Sequence, residues 1–102
     1  MYIEEQYVDK TNDTRLGESG LYESFTENIK DLFNSLQREF GRCVGSVYID
    51  KNNKQLKVGW IFEKKIGHRH GYHFSKPYIQ ETWVILHKDE PTTKTTYHYM
   101  EL

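Results

Sequence analysis

The chain has 102 residues and a formal net charge of −1, enough to bury about two-thirds of its extended surface in one modest core and too short for a second domain. Leu, Ile, Val and Phe supply 24 of those residues, above the roughly 20% below which disorder is expected, and no stretch approaches the roughly 18 consecutive apolar residues of a membrane span. Residues 1–40 hold nine acids against four bases and residues 41–88 three against nine, a pattern that points either to a basic binding face or to a helix and a sheet that attract each other.

In chain order, residues 1–9 carry Tyr2, Ile3, Tyr7 and Val8 and read as a strand interrupted by Glu4 and Glu5. Residues 10–20, polar with two glycines, read as a loop. From Leu21 to Phe40 the apolar positions Tyr22, Phe25, Ile29, Leu32, Phe33, Leu36 and Phe40 trace one stripe of a helix of period 3.6. Ser19 is a candidate N-cap, Ser24 to Glu27 has the capping-box pattern, and Gly41 suits the left-handed position after the last turn. Such a wide, mostly aromatic stripe is expected to press on a sheet.

After Gly41 the period becomes two. Residues 42–50 and 55–66 read as strands joined by a tight turn at Lys51-Asn52-Asn53-Lys54, with Leu56, Val58, Trp60 and Phe62 on the face toward the helix. Residues 67–77 read as a loop, residues 78–88 as a central strand, and residues 92–100, rich in Thr and Tyr, as a further strand. The expectation is therefore a single α+β domain over residues 1–102. One amphipathic helix packs on a curved, mainly antiparallel sheet of four to five strands, in the order β-α-β-β-β-β. A lone helix cannot cover both faces of such a sheet. Tyr48, Ile61, Trp83 or Val84, and Tyr97 or Tyr99 are then left on a second face that either curls over them or presents them to a partner.

Candidate chemistry concentrates in residues 57–78. His68, His70 and His73 could converge on zinc, yet no acid between Lys64 and Gln80 is present to orient the rings, and nearby cations oppose a metal. The expectation is no metal and no cofactor. Lys57, Lys64, Lys65, Arg69, Tyr72, Phe74 and Lys76 interleave cations with rings, as single-stranded nucleic acid requires, although alternation places Trp60 and Phe62 in the core. Cys43, the only cysteine, excludes an internal disulfide, fits a cytoplasmic protein and reads as an inert strand thiol. Glu63 and Glu81 could face one another on adjacent strands as a carboxylate pair. No phosphate loop, nucleophile elbow or zinc-protease motif occurs, so no catalytic residue is assigned. Residues 1–10, with three acids, do not read as a signal peptide.

The segments Val58-Gly59-Trp60-Ile61-Phe62-Glu63-Lys64-Lys65 and Tyr78-Ile79-Gln80-Glu81-Thr82-Trp83-Val84, with Gly41 to Tyr48, resemble a group of small uncharacterised bacterial proteins carried by phages, plasmids and other mobile elements. The resemblance implies no reaction and no catalytic residue. It implies a setting, in which proteins of this size bind and disable a host or defence protein. The leading expectation is thus a non-enzymatic, cytoplasmic inhibitor that docks on a protein through Tyr48, Arg69, Tyr72, His73, Lys76, Tyr97 and Tyr99. Nucleic-acid binding by the basic segment is the alternative. Homodimerisation through the edge of residues 92–100 or 1–9 is a third expectation, and no membrane association is expected.

Overall fold

The computed structural model describes residues 1–26, 28–67, 69–70, 73–74, 77–90 and 98–101, with the backbone alone described at 15–19, 69–70, 73–74 and 98–101. Strand β1 (Tyr2–Asp9) turns into β2 (Thr14–Glu23), and helix α1 (Ile29–Phe40) follows. Next come β3 (Arg42–Lys51), β4 (Lys54–Ile66), the short β5 (Arg69–His70) and β6 (His73–Phe74), β7 (Tyr78–His87) and β8 (His98–Glu101). Five long strands and the four-residue β8 form one antiparallel sheet in the order β2-β1-β7-β4-β3-β8. Among the described residues, strands β5 and β6 pair only with each other. The edge strands β2 and β8 do not meet, so the sheet stays open. The α+β class and the helix-on-sheet layering agree with the sequence reading.

Two local expectations need correction. Residues 14–23 are a strand, not part of a loop and a helix. Asp9 initiates the turn by accepting from the Asn12 backbone N–H (3.0 Å) and side-chain amide (2.6 Å), and Asp13 takes a positive φ of 53°. Pairing is irregular, since Glu5 faces Gly20 and Tyr7 faces Leu16, leaving residues 17–19 opposite Gln6 alone. The helix is correspondingly shorter than expected. Its N-cap is Asn28, whose side chain accepts from the N–H groups of Lys30 and Asp31 (3.0 and 3.3 Å). Tyr22 therefore belongs to β2, and Phe25 lies in the connection, exposed. The order is β-β-α, and β1 is an interior strand between β2 and β7, so residues 1–9 offer no free edge for dimerisation.

The helix stripe that remains is Leu32, Leu36 and Phe40, buried against Ile3, Trp60, Phe62 and Val84. Phe33 tilts onto Trp60 and Phe62 at centroid distances of 5.2 and 5.7 Å. Asn52 and Asn53 both adopt positive φ (53° and 62°), which closes the β3–β4 hairpin as expected. On the second face of the sheet, the described residues form a smaller apolar cluster. Val47, Ile61 and Ile85 are sealed there at 0–1% exposure with Val44, Val58 and Trp83 half-buried beside them, and Tyr48 is itself half-buried.

Candidate binding cleft at one end of the sheet

Where β1 and β4 end and β3 and β7 begin, the strand termini enclose a cleft of about 750 Å³. Gly41, at φ +96°, ends α1 with its N–H on the Gln37 carbonyl (2.9 Å) and delivers Arg42 opposite Glu63. Across the cleft, the β1–β2 turn is tied to β7. The Lys10 N–H donates to the Ile79 carbonyl (2.8 Å), and the Ile79 N–H donates to Thr11 Oγ1 (2.9 Å). Register pairs Lys65 with Ile79 and Ile66 with Tyr78. The lining thus combines Arg42, Lys64 and Lys65 with the apolar surface of Pro77, Tyr78 and Ile79.

Among the described residues, Glu63 is the one acid in the lining. It accepts from Arg42 (2.8 Å) and Lys10 (3.2 Å), and the Arg42 guanidinium, aided by Lys10, holds its carboxyl below the usual carboxylate range. Arg42 is tethered by this bond while Lys64 and Lys65 stay exposed at the rim. Lys64 also donates to the Glu39 carbonyl (3.4 Å), at the helix C-terminus. Consecutive strand residues point to opposite faces, so the sheet end is where Lys64 and Lys65 can flank the same opening.

Register brings Glu63 and Glu81 face to face, as the carboxylate-pair reading requires. Each has its own donor, however: Glu81 accepts from the Trp83 indole (2.7 Å) and Glu63 from its two cations. An acid–base couple needs one carboxyl that keeps its proton, and Glu63, held low, is not that member. Cys43 packs against the core with its thiol on the Gly45 carbonyl (3.3 Å). Among the described residues, no group of three or more His, Cys, Asp or Glu side chains could hold a metal ion.

The residues singled out from sequence scatter. Lys64 and Lys65 line the cleft. Lys57 sits eight residues back along β4, roughly 26 Å away in an extended strand, with its ammonium 5.9 Å from the Trp60 ring. Tyr48 faces Lys57 and His98 at that distant end, and Tyr99 faces Val47. Trp60 and Phe62 are core, as alternation requires. Arg69 faces Phe74, and His70 faces His73, across the β5–β6 ladder. His68, Tyr72, Lys76 and Tyr97 lie outside the described residues. Tyr78, the last ring of the basic aromatic segment, also lines the cleft; Arg42, Thr11 and Ile79 were not singled out, and the signal for Thr11 was the Asp9-to-Asp13 turn that brings it to β7.

Comparison with known protein families, curated proteins and solved structures finds no match to this chain. No helix among the described residues is long and apolar enough to cross a membrane.

Proposed function

We propose that the chain is a non-enzymatic binding module that docks on a protein partner through this cleft, receiving an acidic segment that carries an apolar side chain. The observation that supports it is the lining itself: three cations, one internal counter-charge and an apolar wall in about 750 Å³, a size and mixture suited to a few anchoring side chains. Charge would steer and orient the segment, and Tyr78 and Ile79 would supply buried area. The resemblance to phage- and plasmid-borne proteins supports a host or defence protein as the partner, inhibition as the outcome and the cytoplasm as the place.

Nucleic acid fits less well. A single strand needs cations and free rings along one track, whereas Lys57 stands far from Lys64 and Lys65, and Trp60 and Phe62 are buried. Fluorescence anisotropy with two probes separates the readings: a peptide of alternating Glu and Phe, and oligothymidylate. The peptide is expected to bind and to lose about tenfold in affinity, or about 1.4 kcal/mol, in the Lys64→Glu/Lys65→Glu variant. Unchanged peptide affinity in that variant removes the cleft from the site. Oligothymidylate binding with a steep salt dependence, and no peptide binding, replaces the protein reading by the nucleic-acid one.

A further inference from the structure

Taking the cleft as a docking site, we infer that one of its ligands is a second copy of this chain, held by the segment around Phe25, so that copies associate head to tail. Among the described residues, the large apolar side chains left exposed are Leu21, Tyr22, Phe25, Ile29, Leu56 and Ile79. Four of them fall within residues 21–29, at the junction of β2 and α1, and Ile79 is in the cleft wall. Only Leu56 lies on neither surface.

Phe25 is the most exposed of the six, at 86%. On its N-terminal side the segment is tied to the start of β1 by the Ser24 N–H, which donates to the Met1 carbonyl (2.7 Å), and the Thr26 N–H bonds locally to Ser24 Oγ (3.3 Å). A large ring held outward on an ordered backbone loses little freedom on docking. Its surroundings are acidic. Glu23 precedes it, Asp31 follows in the first turn of α1, and Asp89 and Glu90 come just after β7 ends at His87, the register partner of Tyr2. Among the described residues, Lys30, Lys88 and the Met1 ammonium are the nearby cations, fewer than those four acids. The Tyr2 phenol, opposite Glu23, is raised first by Glu23, then by desolvation, and then by Glu90 and Asp89, in keeping with that field. An acid-rimmed aromatic projection at one end matches a cation-rimmed apolar cleft at the other.

The match cannot close within one molecule. Glu23 pairs with Tyr2 at the start of β1, whereas the cleft lies beyond Asp9 at its end. The eight residues between span roughly 26 Å of rigid interior strand. The contact is therefore made between copies, the projection of one entering the cleft of another. One segment in one cleft buries far less than the roughly 1,200 Å² of a stable interface, so association is weak and reversible. Self-association would also occupy the cleft that a foreign partner needs.

Sedimentation velocity over a concentration series at low and high salt tests this. The wild-type mass is expected to rise with concentration above 12.3 kDa and to fall back in high salt. Phe25→Ala and Lys64→Glu/Lys65→Glu, all exposed positions, should each weaken association at least about tenfold, with circular dichroism confirming the fold. Mixing the two variants should restore a one-to-one complex that grows no further, because one keeps the cleft and the other keeps Phe25. A wild type that stays monomeric, variants that associate normally, or a mixture that does not complement each overturns the inference. If the wild type is monomeric yet binds the Glu–Phe peptide, docking stands without self-association. If complementation is seen but the Phe25→Ala chain does not bind the peptide, self-association stands and docking on a foreign acidic segment falls.

Discussion

Gly41→Ala is a severe single change, because two independent costs fall on one methyl group. The backbone at Gly41 has φ 96° and ψ −157°, a region that is essentially restricted to glycine and costs other residues about 1–3 kcal/mol. An added Cβ would also stand 2.2 Å from the Glu63 carbonyl oxygen and 3.0 Å from its carbonyl carbon. That oxygen is part of β4 and cannot swing aside, so the hairpin must shift, at a further cost of about 1–3 kcal/mol. The combined loss of about 2–6 kcal/mol is a large share of the roughly 5–15 kcal/mol that stabilises a domain. At roughly 4–8 °C per kcal/mol, the melting temperature should fall by at least about 8 °C. Gly20→Ala is the control, since its Cβ would meet Tyr7 and Glu5 at 3.7–3.9 Å, ordinary contact distances; its effect should be neutral or slightly stabilising. Thermal and urea unfolding followed by circular dichroism measure both. Gly41→Ala also strikes the two residues, Arg42 and Glu63, whose bond braces the cleft, so peptide affinity should fall in the fraction that remains folded. Equal melting temperatures for the two variants would refute the reasoning.

Two pH predictions follow from the polar contacts. Tyr7 and Tyr22 both donate to the buried Glu5 carboxylate (2.5 and 2.8 Å), and burial, reinforced by Glu5, raises both phenols. Their contribution is therefore complete below the unfolded value of about 10 and is lost as pH climbs above it; Tyr7→Phe/Tyr22→Phe should cost about 1–3 kcal/mol per bond at neutral pH and flatten that alkaline limb in urea-midpoint measurements. Glu63 is held low, so its contribution is present above the unfolded value of about 4.3 and is lost as pH falls below it. Because Arg42 and Lys10 are solvent-exposed (78% and 45%), Glu63→Gln should cost no more than about 1 kcal/mol at neutral pH, with a weaker acid dependence of the urea midpoint.

What the sequence discloses is what local periodicity encodes. Leu32, Leu36 and Phe40 repeat at helical spacing, Gly41 stops the helix, and the Asn52-Asn53 turn joins two alternating strands. β2 is different in kind. Its sequence, Thr14 to Glu23, has two glycines and little β-branched character, and pairing with β1, not intrinsic preference, makes it a strand. Missing it also misplaces the helix start, because Tyr22 and Phe25 fall by coincidence on the same 3.6-residue stripe. Asn28, the true cap, went unused because the apolar pattern ran through it.

The cleft was half legible for a related reason. Lys64 and Lys65 stand out in any charge scan, but their partners arrive through contacts that no spacing reveals: Thr11 meets Ile79 across 68 residues and Lys10 meets Glu63 across 53. The sheet faces hold most of the described core. One face is taken by α1, and the centre of the other is sealed around Val47, Ile61 and Ile85. Strand termini escape that burial. There, alternation no longer divides inside from outside, and neighbours such as Lys64 and Lys65 can act on one ligand. For a two-layer domain with a small core and many cations on one strand, the strand ends are thus where charge stays hydrated, which is why the proposed docking site falls there.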